Sequence, residues 1–207
     1  MIATPMYGGL CTSNYVSSLL DNVFDLLKNQ VQISWFFLSN EALIQRARNH
    51  VVDVFLRDSE ASHLMFIDAD IDFPKDSIQK LLALDKEVAV GLYPKKTLDK
   101  KLVVNGLVGN TCKHAGTGFM LINRQVFEKL APHLPKVRDS DYSATYTQYF
   151  TCETDSTGLY LSEDWWFCNK CKENNIEINV DLSIELKHVG IYEYTGPQPE
   201  VNNGHKY

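Results

Sequence analysis

Short apolar runs alternate along the chain with longer segments in which apolar residues recur every three or four positions. The short runs predict strands at residues 2–6, 32–38, 63–67, 87–92, 119–122 and 176–180. The longer segments predict helices that begin near Asn14, Ser39, Pro74, Arg124 and Ser162. Residues 138–160 are polar and rich in Tyr, Thr and Ser, which predicts an irregular excursion over the surface. This alternation favours an α/β fold built on one central sheet.

Two of the predicted helices carry clear apolar stripes. In the first, the residues at helical spacing are Val16, Leu19, Leu20, Val23, Leu26 and Leu27. The second, capped by Ser39 and Asn40, is expected to leave Arg46 and Arg48 on its flanks and to bury a stripe formed by Leu43, Ala47, Val51 and Val54. The continuous apolar run at residues 63–67 is typical of a strand that is buried on both faces.

Composition limits the classes of function. The 207 residues include 26 acidic and 20 basic side chains, which gives a formal charge of −6. A chain with this charge has no general attraction for nucleic acid or for an anionic membrane, so a phosphate ligand needs a local cation or a few placed basic groups. No apolar run approaches the ~20 residues that span a bilayer, and the N-terminus lacks the pattern of a signal peptide.

The cysteines indicate a reducing environment. Their number is odd and their spacing does not suggest a disulfide framework: Cys11, Cys112, Cys152, Cys168 and Cys171. Cys168 and Cys171 are predicted to share one face of a helix as buried reduced thiols, because no second pair or nearby histidine completes a zinc site. We therefore expect a cytoplasmic protein, in the host cytoplasm if the chain is viral.

The strongest chemical signal is the sequence Asp68-Ala69-Asp70, which follows the buried strand at residues 63–67. Ligands of open α/β sheets bind beyond the carboxyl ends of strands. Two carboxylates one residue apart at such an end can hold a hard divalent cation together with water and phosphate oxygens. Asp72 is an alternative ligand, paired with Asp70. The competing structural interpretation is that these aspartates form a turn or cap a helix.

The strand, the Asp-x-Asp motif and the helix that follows resemble the nucleotide-sugar site of GT-A glycosyltransferases. Other segments up to about residue 192 are similar to conserved parts of that family: Thr4-Pro5-Met6-Tyr7-Gly8, Arg46-Ala47-Arg48-Asn49, Gly91-Leu92-Tyr93-Pro94-Lys95, Gly116-Thr117-Gly118-Phe119-Met120, Ser162-Glu163-Asp164-Trp165-Trp166 and Leu186-Lys187-His188-Val189-Gly190. The closest likeness is to glycosyltransferase domains encoded by large DNA viruses of chlorella-like algae. The resemblance implies a Rossmann-like three-layer sandwich, in which helices flank a central, mostly parallel mixed sheet.

The resemblance also implies an activity. The reaction would move a sugar from a nucleoside diphosphate sugar, most often a UDP-sugar in this family, to a hydroxyl of a glycan acceptor, with Mn²⁺ or Mg²⁺ as cofactor. Synthesis of viral glycoprotein glycans would be its setting. Asp164 would accept the proton of the acceptor hydroxyl if the reaction inverts the anomeric centre, or orient the acceptor if it retains configuration, and the sequence leaves both open.

The resemblance assigns roles to particular residues of this chain. The metal ligands would be Asp68, Asp70 and His188, and the catalytic pair would be Asp164 and Glu163. Contacts with the nucleotide sugar would come from Thr4, Pro5, Tyr7, Arg48, Asp68, Ala69, Asp70, Lys95 and Gly118.

Two other classes of function stay open. An aspartyl-nucleophile phosphotransferase or phosphatase would use Asp68 covalently and Asp70 as acid and base, although such enzymes usually carry Thr or Val where this chain has Asp72. A catalytically inert carbohydrate-binding domain would keep the fold without turnover.

The domain organisation is predicted to be simple. Residues 1–194 would form one GT-A domain, and the polar residues 195–207 a tail or a linker into further domains. The expected partners are the nucleotide-sugar donor and the glycan acceptor, with residues 138–158 on the acceptor side. We expect no nucleic acid partner and no transmembrane segment.

Overall fold

The structure, a computed structural model, describes residues 1–58, 60–139 and 144–196. Its strands are β1 (Ile2–Met6), β2 (Trp35–Ser39), β3 (His63–Ile67), β4 (Ile71–Asp72), β5 (Val88–Val90), β6 (Val104–Asn105), β7 (Thr111–Cys112), β8 (His114–Ala115), β9 (Phe119–Asn123), β10 (Lys136–Asp139), β11 (Ala144–Thr147), β12 (Glu153–Thr154), β13 (Tyr160–Leu161), β14 (Ile178–Val180), β15 (Lys187–Val189) and β16 (Glu193–Thr195). Its helices are α1 (Ser13–Lys28), α2 (Ile44–Arg57), α3 (Ser77–Ala83), α4 (Arg124–Leu130) and α5 (Glu163–Glu173). Short 3-10 turns occur at Tyr7–Gly9 and Ala131–His133.

A seven-stranded sheet in the order β2-β1-β3-β9-β5-β14-β7 forms the centre of the molecule. β1 runs parallel to β2 and β3, and β14 runs parallel to β5. β9 is antiparallel to both of its neighbours, and β7 is antiparallel to β14 at one edge. Five of the seven strands therefore point the same way, as the predicted mixed, mostly parallel sheet requires.

Helices cover both faces of this sheet. The apolar side chains of α2, α4 and α5 pack in one cluster with Leu64 and Phe66 of β3. Those of α1 and α3 pack in a second cluster with Met65 and Ile67 of the same strand. β3 is thus buried on both faces, and the expected three layers are present.

Helix α1 is rotated relative to the stripe predicted from the sequence. Its buried residues are Tyr15, Ser18, Asn22, Val23 and Leu26. The hydroxyl of Ser18 donates to Asp72 at 2.9 Å, and Asn22 both donates to the carbonyl of Pro74 at 2.9 Å and accepts from the amide of Ile78 at 3.1 Å. These polar bonds to β4 and α3 turn the helix, so that the residues left exposed include Val16, Leu20, Phe24 and Leu27.

Helix α2 begins later than predicted. Ser39 and Asn40 do not cap it, because the backbone of Asn40 is left-handed (φ 64°) and the helix starts only at Ile44. The carboxylate of Glu41 instead accepts the amide of Leu43 at 2.9 Å. The buried face also differs from the expected stripe: Leu43 is half exposed, and the buried residues are Ala47, Arg48, Asn49, Val51, Val52 and Phe55.

Two smaller differences from the sequence predictions concern α3 and residues 138–160. The helix expected from Pro74 begins at Ser77, after a turn in which the carbonyl of Pro74 accepts the hydroxyl of Ser77 at 2.7 Å. The described residues of the predicted excursion at 138–160 take part in two antiparallel strand pairs, β10–β11 and β12–β13. Residues 140–143 of that excursion, and residues 197–207 of the predicted tail, lie outside the described residues.

The cysteines and the membrane prediction can also be compared with the structure. Cys168 and Cys171 lie buried on one face of α5 as free thiols, and burial raises the pKa of both. Within the described ranges, none of the helices has both the length and the apolar character that crossing a membrane requires.

Candidate functional site

The acidic segment at residues 68–70 is held rigidly by its main chain. The amide of Asp68 donates to the carbonyl of Gly118 at 2.9 Å. The next two carbonyl groups accept the amides of Thr12, at 2.9 Å, and Val189, at 2.7 Å. The residue that caps α1, the loop before β9 and the end of β15 therefore all fix this segment, which lies beyond the carboxyl end of β3.

Asp70 faces two basic side chains. The ammonium of Lys96 lies 2.5 Å from one carboxylate oxygen, and Nε2 of His188 lies 3.4 Å from the other. Nδ1 of His188 is 3.0 Å from the carbonyl of Pro94, which can only accept, so Nδ1 carries a proton and Nε2 is the ring nitrogen that faces Asp70. Burial works to raise the pKa of Asp70, but the bonds from His188 and Lys96 outweigh it and lower that pKa.

Arg48 is buried, which corrects the prediction that it lies on the flank of α2. Its Nη2 is 3.1 Å from Asp68, its Nε is 3.4 Å from Glu163, and its guanidinium lies over the ring of Phe66. Burial alone would lower the pKa of Arg48, but the charges of Asp68 and Glu163 more than offset burial and raise it. Nη1 is buried and has no hydrogen-bond partner within the part of the chain that the structure describes.

Glu163 and Asp164 are the first two residues of α5, and Ser162 directly precedes the helix. Burial raises the pKa of Glu163, against the lowering effect of Arg48. One oxygen of Asp164 accepts the amide of Trp165 at 2.8 Å and bonds with the hydroxyl of Ser162. Because Arg48 contacts both Glu163 and Asp68, the start of α5 lies beside the acidic segment.

Tyr93 joins the elements of this site, although the sequence analysis did not assign it a role. It is buried, its hydroxyl accepts the amide of Gly118 at 3.1 Å, and its ring meets the ring of His188 edge to face. A Cβ added at Gly118 would lie 2.8 Å from both Asp68 and the hydroxyl of Tyr93, and one added at Gly116 would overlap that hydroxyl. Gly118 therefore serves close packing between Tyr93 and Asp68, rather than only an approach by the donor as predicted.

An open cleft of about 410 Å³ adjoins the acidic segment and holds several predicted donor contacts. It is lined by Pro5, Tyr7, Leu10, Cys11, Thr12, Glu41, Ala42, Ile44, Asp68, Ala69 and Asp70. Tyr7 and Leu10 expose about three quarters of their surface there. Thr4 does not reach the cleft, because it is fully buried and its hydroxyl bonds with that of Tyr15 at 2.6 Å.

Two further predictions are changed by where the side chains lie. Lys95 was one of the predicted donor contacts, but it is Lys96 that contacts the acidic segment, and the side chain of Lys95 is exposed. Asp72 does not replace Asp68 in the site. Its carboxylate accepts from Lys187 at 3.0 Å and from Ser18 at 2.9 Å, which binds it into the scaffold between β4, β15 and α1.

The predicted metal ligands form a pair rather than a set of three. Within the described residues, no group of three or more His, Cys, Asp or Glu side chains is gathered as a metal site. Asp68 turns toward Arg48, whereas Asp70 and His188 face each other. A carboxylate and an imidazole lone pair suit Mn²⁺ as a donor pair. The residues therefore fit a cation that takes its remaining ligands from water and a diphosphate.

No family model matches the chain, and no curated protein matches it. Among solved structures it is similar to A197 from STIV, with 18% identity and a TM-score of 0.58 over the whole of both chains. It is also similar to S. aureus TarS 1-349, with 14% identity and a TM-score of 0.47 over 86% of this chain and 56% of that one. A glycosyltransferase involved in the glycosylation of the major capsid of PBCV-1 gives 10% identity and a TM-score of 0.34 over 62% of each chain.

The match to A197 covers both chains completely, but the sequence identity is low. It therefore establishes a shared fold and says nothing about the activity of this chain. The TM-scores of the other two comparisons lie below 0.5, and they support no further conclusion. The predicted closeness to viral glycosyltransferases is supported by no match to a family model or to a curated protein. The chain has the GT-A fold: a mixed, mostly parallel seven-stranded sheet between two layers of helices, with an acidic segment at the carboxyl end of a central strand.

Proposed function

We propose that this chain is a glycosyltransferase that takes a sugar from a nucleoside diphosphate sugar, with UDP as the nucleotide, and transfers it to a hydroxyl group of a glycan. The observation that carries the proposal is the pair of Asp70 and His188, set beside Lys96 on a rigid segment next to an open cleft. An acidic chain needs such local positive charge to hold a diphosphate.

In this proposal Asp70 and His188 hold Mn²⁺ or Mg²⁺, and the cation, when bound, neutralises charge on the departing diphosphate. The hydrogen bond between Nδ1 of His188 and Pro94 fixes the ring, so that Nε2 points toward Asp70. Lys96 contacts Asp70 through a side chain that is 39% exposed, so it can move to a phosphate oxygen. The cleft wall with Pro5 and Tyr7 receives the nucleoside.

The acceptor side of the proposal rests on α5. Asp164 accepts the proton of the acceptor hydroxyl if the reaction inverts configuration, since one of its oxygens is already fixed by two donors. Glu163 is less suited to that task, because Arg48 binds it and it is only 12% exposed. Arg48 holds Glu163 and Asp68 in place and balances their charge.

Two competing functions are less well supported. A phosphotransferase would need Asp68 as a nucleophile, but both oxygens of Asp68 lie within 3.3 Å of Nη2 of Arg48. An inert carbohydrate-binding domain would need no fixed cation-binding pair, and it would release no UDP from any UDP-sugar.

Calorimetric titration of UDP, with and without Mn²⁺, tests the donor site. We expect binding that requires the metal, that disappears in Asp70→Asn, and that survives in Asp99→Asn, whose carboxylate lies in an exposed turn. Release of UDP from a panel of UDP-sugars then tests turnover. Equal binding without metal, or none to any nucleoside diphosphate, would overturn the proposal.

A further inference from the structure

Six large apolar side chains are exposed along one flank of the molecule. Four lie on α1 and two on the edge strand β2, and each exposes between 42% and 61% of its surface: Val16, Leu20, Phe24, Leu27, Trp35 and Phe37. We name this set the α1–β2 surface. None of its residues lines the cleft or contacts the acidic segment.

The sheet register places the two parts of this surface on the same face. In the parallel pair β1–β2, Trp35 lies opposite Ile2 and Phe37 lies opposite Thr4. Ile2 belongs to the core beneath α1, and Thr4 bonds with Tyr15 of α1. Trp35 and Phe37 therefore project toward the α1 side of the sheet.

The contacts of α1 show which way its apolar flank points. One flank, with Asn14, Ser18 and Asn22, bonds to β4 and α3. At 100° per residue, Val16, Leu20, Phe24 and Leu27 lie on the opposite flank, which faces the edge where β2 ends the sheet. The apolar flank of the helix and the exposed side chains of the strand thus lie on the same side of the sheet, at the same edge.

The sequence of strand β2 lacks the charges and the proline that often protect a sheet edge. The strand pairs with β1 on one side, and among the described strands it forms no ladder on the other. Its sequence, Trp35-Phe36-Phe37-Leu38-Ser39, contains no charge and no proline. Natural sheets usually protect such edges with charged side chains, proline or a covering element.

We infer that the α1–β2 surface binds a second copy of this chain, through a two-fold axis that pairs β2 with β2 of the partner in antiparallel fashion and packs α1 against α1. Half-exposed side chains of this size present roughly 100 Å² each, or about 600 Å² per copy. Two copies then bury about 1,200 Å², the lower limit for a specific interface. A two-fold arrangement uses the same patch twice, so the surface needs no other partner.

The charged residues of α1 favour a second copy of the chain over a lipid surface as the partner of the α1–β2 surface. Helices that lie on membranes carry many lysines and arginines on their polar face. The polar face of α1 instead carries Asp21 and Asp25, with Lys28 as its one basic residue. The surface itself is uncharged, so two copies of an acidic chain can meet there without direct repulsion.

Light scattering after size exclusion tests the inference, which does not depend on the proposed function. At about 100 µM, far above a micromolar dissociation constant, we expect the full chain to have twice its mass of 23.6 kDa. The double substitution Leu20→Glu/Phe24→Glu introduces charge into the helix part of the surface and should halve that mass. Trp35→Glu introduces charge into the strand part and should also halve it. Circular dichroism on heating verifies that each variant is folded.

The matched control is Val108→Glu/Leu159→Glu, which places two charges at comparably exposed apolar positions outside the surface and should keep the doubled mass. A single-chain mass for the unmodified protein would overturn the inference, and its flotation with neutral phosphatidylcholine vesicles would assign the surface to lipid instead. A dimer that survives both sets of surface variants would place the interface elsewhere.

Discussion

Lys96 lies where a divalent cation would act, since its ammonium is 2.5 Å from Asp70. If Asp70 binds a cation as proposed, Lys96 is an internal counter-ion that this cation would have to displace. Replacing it with methionine removes both the competing bond and the repulsion of the metal. For a pair this exposed, we expect Lys96→Met to tighten Mn²⁺ binding about fivefold in the absence of nucleotide, measured by calorimetry.

The neighbouring Lys95 provides the control for this prediction. The side chain of Lys95 is exposed, and its amide donates to the carbonyl of Lys101. Lys95→Met therefore changes the net charge by the same amount as Lys96→Met but removes no contact with Asp70. An equal gain in Mn²⁺ affinity in both variants would attribute the effect to overall charge. Weaker Mn²⁺ binding in Lys96→Met would remove Lys96 from the role of competitor.

The carboxyl group of Asp72 leads to a prediction about how the free energy of unfolding depends on pH. Burial works to raise its pKa, but bonds from Lys187, Ser18 and Asn14 lower it overall. A carboxyl group whose pKa is lower in the folded state stabilises the fold above its unfolded pKa of about 4, and loses that contribution as pH falls through the folded value. We expect Asp72→Asn to lower the free energy of unfolding by about 1 kcal/mol at pH 7.

This difference should shrink below pH 4, because protonation removes the same bonds from the unmodified chain. Urea unfolding at pH 7, 5 and 3 measures it, with Asp21→Asn on the exposed face of α1 as the control. A constant difference across the three pH values would show that Asp72 acts through its shape and not through its charge.

At the scale of residues, sequence patterns predicted part of the geometry of the candidate site. Asp70 and His188 meet as predicted, since a motif at a strand end fixes where its backbone points. Lys96 was passed over for Lys95 because side-chain direction in a loop depends on the backbone path, which residue types do not specify. Tyr93 gave no signal, because a buried aromatic residue is ordinary until its hydroxyl is seen to accept from Gly118.

Helix α2 contributes to the site through Arg48, the one buried cation of its inner face. Arg48→Met would leave Asp68 and Glu163 without their shared partner. Breaking a buried ion pair costs about 3–5 kcal/mol, and Arg46→Met, at a more exposed position of the same helix, should cost less. Adding Glu163→Gln to Arg48→Met should restore about 1–2 kcal/mol, because one unpaired carboxylate is removed.

A double-mutant cycle in urea checks this prediction. Glu163→Gln alone should destabilise the chain, since it takes a partner from Arg48, whereas the same change should stabilise the Arg48→Met background. Additive effects of the two substitutions would mean that Arg48 and Glu163 do not interact.

Elements were easier to predict than their orientation. The strand at residues 63–67 was placed at its observed ends, since an apolar run bounded by polar residues leaves little choice. The buried face of α1 was wrong, because its apolar and polar flanks compete and bonds from Ser18 and Asn22 to distant elements decide between them. The burial of Arg48 was not predicted for the same reason, since only the folded chain brings Asp68 and Glu163 to it.

For the molecule as a whole, a ligand that binds only the folded chain must raise its stability. At 100 times its dissociation constant, UDP with Mn²⁺ should add about 2.7 kcal/mol. For a chain of this size that corresponds to a rise of roughly 5–10 °C in Tm, measured by calorimetric scanning. Asp70→Asn should abolish the rise. An equal rise with uridine, which lacks the diphosphate, would contradict a diphosphate site.

The bond between the amide of Val189 and the carbonyl of Asp70 has a consequence for biosynthesis. The acidic segment leaves the ribosome early, whereas β15, which closes it, leaves much later. Synthesis at about 5–20 residues per second separates the two events by several seconds. During that interval the nascent chain carries its aspartates without His188 and without the last backbone bond, so the completed site arises only after β15 has been synthesised.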